Sequence, residues 1–245
     1  MKTSHAVLAM LAASLGGAAL IVGMGARPAG PTAAEAAASD IGVPAPWAVR
    51  ADPDGLHALG LVLGRSTLAD AVQRFGPDTQ IAVIAAPNEV GHLEAFVDPL
   101  QAGFVGGKLV ISAQATAAQI EGWKARAVKA EFMESTTRRH LLATGDQADA
   151  LRATVTGLSF IPQAQLDEAA VVARFGPPAE KLPQGDHVVH LLYPAQGVDV
   201  VVDSQGKELV QYVPPAEFEA RLRMPLLQVR AEPPGRPVSE PAAAR

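Results

Sequence analysis

A four-residue string that occurs twice is the feature that most constrains the fold of this chain. Arg-Phe-Gly-Pro stands at residues 74–77 and again at residues 174–177, 100 positions later. A Gly-Leu pair precedes each copy, at residues 60–61 and 157–158, with an offset of 97. Because the same string recurs in the same local order, the sequence predicts two copies of one structural repeat.

Each copy of the string closes a segment with the periodicity of a short helix. The apolar residues of the predicted helix faces are Leu68, Val72 and Phe75 in the first copy and Leu166, Ala170 and Ala173 (or Val172) in the second. Ser66 or Thr67 and Asp167 offer oxygen atoms to the free amides at the helix starts. Gly76 and Gly176 predict left-handed caps, and the proline after each glycine prevents continuation of the helix.

Turn-bounded apolar runs after each helix predict two three-stranded meanders. The predicted strands are 81–85, 91–97 and 108–113 in the first copy and 187–193, 198–202 and 207–213 in the second. Between the copies, residues 115–134 read as a longer helix with Ile120, Trp123 and Ala127 on one face. The sequence therefore predicts an α+β protein in which two tandem helix-plus-antiparallel-sheet repeats are joined by a helix.

The second copy also carries a resemblance to a known family. A short helix closed by Phe-Gly-Pro is followed by a strand bearing Tyr193 and by Gly-Val-Asp-Val-Val-Val-Asp-Ser-Gln-Gly-Lys-Glu-Leu at 197–209. This order resembles the small outer-membrane-assembly lipoproteins (SmpA/OmlA type), and its tandem use over about 60–213 is similar to the β-lactamase-inhibitor-protein fold. The resemblance implies a non-enzymatic binding role and transfers no binding residues. The lipidated cysteine of the lipoprotein family is absent, since the chain has no cysteine.

An uncharged run close to the N-terminus predicts export. Residues 6–26 carry no charge over 21 positions, with Lys2 before them and Arg27 after them. A spanning helix needs about 20 apolar residues, and a cleaved signal needs a shorter core and a small-residue cleavage site. Residues 1–26 are therefore predicted to be a membrane anchor or a signal peptide. The chain is expected to be anchored in the inner membrane facing the periplasm, or to be periplasmic or secreted if the leader is cleaved.

Proline content and the repeats divide the remainder of the chain. The predicted segments are a disordered Pro/Ala-rich linker at 27–56, a first repeat at 57–114, a helical connector at 115–155, a second repeat at 156–223 and a disordered Pro-rich tail at 224–245.

Composition and motif spacing disfavour several classes of function. The formal net charge of −5 predicts no nucleic-acid partner, and the lack of cysteine excludes disulfides, thiolate metal sites and thiol catalysis. His187 and His190 have a metal-like spacing, but on a strand they would point to opposite faces. Residues 52–55, Asp-Pro-Asp-Gly, read as a turn and not as a calcium loop. No cofactor, metal or catalytic residue is assigned.

The densest polar cluster is Glu-Ser-Thr-Thr-Arg-Arg-His at residues 134–140. We interpret it as a solvated helix end, although Arg138 and Arg139 could also receive an acidic partner or a lipid headgroup. No partner-binding residue is assigned from the sequence.

These observations predict an exported, non-catalytic binding or scaffold protein that engages another protein of the cell envelope. One alternative is an envelope hydrolase whose site would bring together His140, His187 and Glu208. A second alternative is a cleaved, secreted inhibitor protein. The sequence leaves the partner and the oligomeric state open.

Overall fold

The computed structural model describes residues 42–133 and 136–231. The predicted apolar helix at 6–26, the linker up to residue 41 and the tail from residue 232 lie outside the described residues. Within the described ranges, no helix has both the length and the apolar character needed to cross a membrane.

The described part of the chain contains thirteen strands, five α-helices, two short 3-10 helices at Pro194–Gln196 and Pro215–Glu217, and a π-helical segment at Glu219–Arg223. The strands are β1 Arg50–Asp52, β2 Gly55–Ala58, β3 Leu61–Leu63, β4 Gln80–Ala85, β5 His92–Ala102, β6 Val105–Ala113, β7 Lys129–Phe132, β8 Arg138–Leu141, β9 Val155–Pro162, β10 Glu180–Gln184, β11 Val188–Tyr193, β12 Val198–Asp203 and β13 Leu209–Tyr212. The helices are α1 Leu68–Phe75, α2 Ala117–Arg126, α3 Thr144–Ala150, α4 Glu168–Phe175 and α5 Met224–Ala231.

Ten of the strands form one antiparallel sheet, which confirms the predicted α+β class. Its order is β10-β11-β12-β13-β9-β6-β5-β4-β8-β7, and β1-β2-β3 form a separate small sheet. The predicted strands are present as β4, β5 and β6 and as β11, β12 and β13. β10 was not predicted, because Pro183 and its polar neighbours do not show the apolar pattern of a strand.

The pairing of β6 with β9 joins the two groups of strands into one sheet. It extends from Gly107 opposite Pro162 to Ala113 opposite Val155. A methyl group at Gly107 would lie 2.5 Å from the carbonyl oxygen of Ile161 and 2.6 Å from the ring of Phe160. Glycine is therefore required where the two groups meet.

Both short helices start and stop where the sequence predicts. The Thr67 hydroxyl accepts from the Asp70 amide at 3.3 Å, and the Asp167 carboxylate accepts from the Ala170 amide at 2.7 Å. Gly76 and Gly176 have φ of +102° and +84°. Their ψ angles, 169° and −176°, are extended, so the predicted left-handed helical cap is wrong in detail.

Helices α1 to α4 cover one face of the sheet, which we call face A. Because side chains alternate along each strand, Leu93, Ile111 and Phe160 point to this face and are at most 1% exposed. They belong to one apolar cluster with Leu68 of α1 and Trp123 of α2. The main core therefore lies between face A and the helices.

The C-terminal segment covers part of the opposite face, which we call face B. Phe218, Leu222 and Leu226 pack there against Leu192 and Val213. The prediction of a disordered tail is therefore wrong for residues 224–231, which form α5. The apolar side chains of this segment lose water contact when they pack on the sheet, and this overrides the proline signal.

The linker prediction is wrong from residue 42 onward. Val43 forms a parallel bridge with Ala102 and accepts from the Gly103 amide at 2.7 Å. The buried Tyr212 hydroxyl donates to the carbonyl of Pro46 at 2.8 Å. We call residues 42–49 the N-terminal strap. Its prolines prevent regular structure but not packing.

The arginines of the duplicated string both contact this strap. Arg74 donates to the Gly42 carbonyl at 2.9 Å, and the Arg174 guanidinium lies 4.9 Å from the centroid of the Trp47 ring. After the strap, β1 and β2 form a hairpin closed at Asp52 and Gly55, so the predicted turn is confirmed.

The prediction of a helical connector is also wrong in part. α2 buries Ile120 and Trp123 as expected but ends at Arg126 instead of continuing to about residue 134. The chain then forms β7 and β8, and β8 pairs with β4 of the main sheet. Arg138 and Arg139 therefore lie on a strand, and β8 covers the edge of β4 that would otherwise be open.

We expect Tyr212→Phe to lower the free energy of unfolding by about 1–2 kcal/mol, because the buried Pro46 carbonyl loses its donor. Urea unfolding measures the loss, and limited proteolysis should show earlier cleavage within residues 42–49.

Tyr193→Phe is the matched control, since it removes a hydroxyl that donates to Gly176 and not to the strap. Equal cleavage of the strap in both variants would contradict the assignment of the Tyr212 contact.

Candidate functional site

A cleft of 640 Å³ opens at the β7 end of the main sheet. Its walls are the β4–β5 loop at residues 86–90, the C-terminal half of α2 and the β7–β8 hairpin. The side chains used below are Val90, Glu121, Lys124, Phe132, Arg138 and His140.

Lys124 fixes the loop wall of the cleft to the helix wall. Its ammonium donates to the carbonyls of Glu89 and Val90 at 3.2 and 3.0 Å and pairs with Glu121 at 3.0 Å. The side chain of Lys124 is 19% exposed. The positive charge of Lys124 therefore faces the cleft from a fixed position.

Exposed apolar side chains surround the same cleft. Phe132 is 68% exposed and Val90 is 45% exposed, and both line it. The Arg138 guanidinium stacks over the Phe132 ring at 4.4 Å. No carboxylate of the described residues lies within 4 Å of Arg138, so its charge is open to an acidic ligand.

His140 supplies a polar group on the inner wall. Its Nδ1 is buried and has no hydrogen-bond partner among the described residues. Partial burial lowers the pKa of His140, and the charges of Lys124 and Arg138 lower it further. The imidazole is therefore neutral at neutral pH and can accept or donate a hydrogen bond.

Together these groups can recognise an acidic group next to an apolar one. Arg138 attracts a carboxylate, Phe132 and Val90 offer apolar surface, and His140 offers a neutral hydrogen-bonding atom. Lys124 holds the loop wall in place, because its ammonium is already bonded to Glu121 and to two carbonyls. The Arg138 guanidinium stacks on the Phe132 ring. From this position it can bind a carboxylate through two parallel hydrogen bonds, in bidentate geometry.

A second groove of 560 Å³ lies on the other side of the β7–β8 hairpin, beside α1 and α3. Val72 and Leu151 supply its apolar wall, and Arg139 donates to Gln80 at 3.0 Å. Hydrogen bonds from Lys129 and Arg139 lower the pKa of Glu131 to about 2. Because the charges of this groove are already paired, it is the weaker candidate for ligand binding.

The residues of the hydrolase alternative do not converge. His140 is on β8, whereas Glu208 immediately precedes β13, five strands away in the sheet. At about 4.8 Å per strand, this is a separation of roughly 24 Å. His187 precedes β11, still farther along the sheet. These three residues therefore do not form one site.

The two histidines with metal-like spacing have separate environments. His190 is buried on β11 with its Nδ1 2.8 Å from a carboxylate oxygen of the buried Asp199, while His187 lies outside the strand. In the described ranges, no three histidine, aspartate or glutamate side chains are grouped as metal ligands would be.

Sequence reasoning missed Lys124, Phe132 and Val90. A strand interpretation of residues 128–132 would have placed Val128, Ala130 and Phe132 on one side by alternation. Because residues 115–134 were assigned to a helix, the alternation of apolar residues at 128–132 was not recognised as a strand pattern. Arg138 and His140 were noticed as polar residues, but without the cleft around them.

Comparison of the chain with protein-family models, with curated proteins and with solved structures finds no match.

We expect Arg138→Gln to raise the pKa of His140, because the removed positive charge disfavours the imidazolium form. NMR titration of the His140 ring measures the shift. Lys207→Gln, on an exposed turn in the other half of the sheet, is the control and should leave the His140 titration unchanged. Identical titration in all three proteins would show that Arg138 does not act on His140.

Proposed function

We propose that the protein is a non-catalytic binding or scaffold module of the cell envelope that engages another envelope protein. The cleft beside the β7–β8 hairpin is the observation that carries this proposal. Its open cation and exposed apolar side chains suit recognition of a partner surface.

The distribution of exposed apolar side chains supports a binding role at this end of the sheet. Among the described residues, five large apolar side chains are exposed. Two of them, Val90 and Phe132, line the cleft, and a third, Val128, immediately precedes β7. Clustered exposed apolar side chains are typical of interaction sites on soluble domains.

The charges of the cleft favour a partner segment that carries an acidic group next to an apolar residue. Arg138 is free of described carboxylates, while Glu121 is already paired with Lys124. The partner's carboxylate would face Arg138, and its apolar group would lie on Phe132 and Val90.

Export is part of the same proposal and rests on the uncharged run at residues 6–26. An anchor there would hold the body on the periplasmic side of the inner membrane. Cleavage would release it and would favour the secreted-inhibitor alternative.

We also propose that the body arose by duplication. α1 and α4 end in the same string, each is followed by an antiparallel meander, β4-β5-β6 or β10-β11-β12-β13, and Arg74 and Arg174 both contact the strap. The proposed copies differ in their first strand, since β9 joins the main sheet and β3 joins the small one.

We expect a photo-crosslinking amino acid at Val90 to form an adduct with one envelope protein in intact cells. Arg138→Glu should abolish that adduct, because it reverses the charge that holds the partner's carboxylate. Gel shift and mass spectrometry of the adduct are the readout.

Lys207→Glu is the matched charge reversal and should leave the adduct at wild-type yield. Absence of an adduct at Val90, or an adduct that survives Arg138→Glu, would argue against the cleft as the binding site.

We expect a C-terminally tagged chain to fractionate with the inner membrane and to be released by detergent but not by high salt, since burial of about 20 apolar residues holds it there. N-terminal sequencing of the purified protein shows whether the leader is retained. Recovery in the cytoplasmic fraction would refute export.

A further inference from the structure

β7 is the last strand of the ten-stranded sheet, and its outer backbone groups pair with no other described strand. The Met133 amide donates to the Thr137 carbonyl at 3.0 Å. Hydrogen-bonded pairs alternate along an antiparallel ladder, so the backbone groups of Glu131 point to β8 and those of Ala130 and Phe132 point outward. Within residues 42–133 and 136–231, the sheet therefore ends in an open edge at β7.

The other end of the sheet is protected. On β10, Pro183 has no amide hydrogen to offer, and Gln184 donates to the carbonyl of Leu226 in α5 at 3.2 Å. Arg223 bonds Glu180 of the same strand at 2.6 Å. Proline and covering segments protect the β10 edge. Among the described residues, β7 has neither, and its protection is limited to its short length and the charges of Lys129 and Glu131.

The sequence of β7 is complementary to itself when two copies run antiparallel. With Ala130 opposite Ala130 of the second copy, Lys129 comes opposite Glu131 and Phe132 opposite Val128. In this register the outward-pointing backbone groups of Ala130 meet those of Ala130 in the second copy, which gives one hydrogen-bonded pair on the axis. Val128, which precedes β7 and comes opposite Phe132, already donates its amide to the Leu141 carbonyl at 2.9 Å. We infer that a second copy of this chain pairs with β7 through this register and forms a two-fold dimer with a continuous sheet.

The charges select this register over its neighbours. A shift that keeps the outward-pointing residues paired moves the two-fold axis by one residue, to Glu131 or to Lys129. The first shift places Glu131 opposite Glu131, and the second places Lys129 opposite Lys129. Like charges directly opposite each other destabilise a strand pair, and opposite charges stabilise it.

The Glu131 carboxylate is already held in place by two cations of its own chain. Lys129 lies 2.6 Å from it on the same strand, and Arg139 bonds its other oxygen. In the dimer each Lys129 also reaches the Glu131 of the other copy. The charges of both strands then form one network on face B.

The dimer would give the protein two clefts on one side. Antiparallel edge pairing places the two-fold axis perpendicular to the sheet, so face A of both copies points the same way. One strand of four residues buries little surface, so we expect association that depends on concentration. Anchoring in one membrane would raise the effective concentration of the copies. The dimer itself does not depend on the proposed function of the cleft.

Sedimentation velocity of the full-length protein over a concentration series tests the inference. The wild type should show a monomer–dimer equilibrium. Lys129→Glu and Glu131→Lys should each weaken it by about tenfold or more, because each places like charges opposite each other. An equimolar mixture of the two variants should dimerise again, since glutamates of one then face lysines of the other.

Lys207→Glu is the control and should dimerise like the wild type. A wild type that stays monomeric at every concentration, or a mixture that associates no better than its components, would overturn the inference. Circular dichroism of each variant checks that the hairpin still folds.

A second measurement does not depend on charge. The chain has no cysteine, so Ala130→Cys supplies a single thiol at the two-fold axis. A hydrogen-bonded strand pair has a Cα separation of about 5.5 Å, which is within the range of a disulfide. Mild oxidation should give a linked dimer on a non-reducing gel.

Ser204→Cys, on an exposed turn away from β7, should stay monomeric under the same oxidation. Equal linking of both cysteine variants would show random collision and would overturn the inference. Linkage of Ala130→Cys only to a different protein would show that the edge takes a partner strand, and self-pairing would again be refuted.

Discussion

The antiparallel pairing of β6 with β9 is the interaction on which the rest of the structure depends. It joins the strands around α1 and those around α4 into one ladder, so neither group has to end in an open edge at the centre of the protein. Gly107 permits the close approach to Phe160 that this pairing needs. The helices can then share one apolar core on face A, and the edges of the sheet are moved to its two ends, β10 and β7.

Local signals in the sequence were sufficient for the elements whose stability is local. The string Arg-Phe-Gly-Pro and the capping side chains of Thr67 and Asp167 agree with each other, and α1 and α4 end where predicted. The predicted apolar face of α4 is wrong, because Leu166 precedes the helix, Ala173 is exposed, and the helix buries Val171 and Phe175. The strands β4 to β6 and β11 to β13 are joined by turns and contain alternating or continuous apolar residues. These apolar runs predicted the positions of the strands correctly.

The parts that sequence reasoning missed depend on contacts between distant residues. Pro46 and Trp47 look like linker residues until Tyr212 and Arg174 are placed beside them, more than 120 positions later in the chain. Leu226 looks like part of a tail until face B is seen to need a cover. The cleft was missed for the same reason, because Val90, Lys124 and Phe132 come from three elements whose arrangement follows from the pairing of β8 with β4.

The strap has a further consequence for how far the body can stand from a bilayer. The strap contacts the body from Gly42 onward, and fifteen residues, 27–41, lie between the uncharged run and the described part of the chain. Fifteen residues span at most about 50 Å when fully stretched. If the run stays in the lipid, the folded body remains within that distance of the bilayer. It can then contact only partners that come close to the membrane surface.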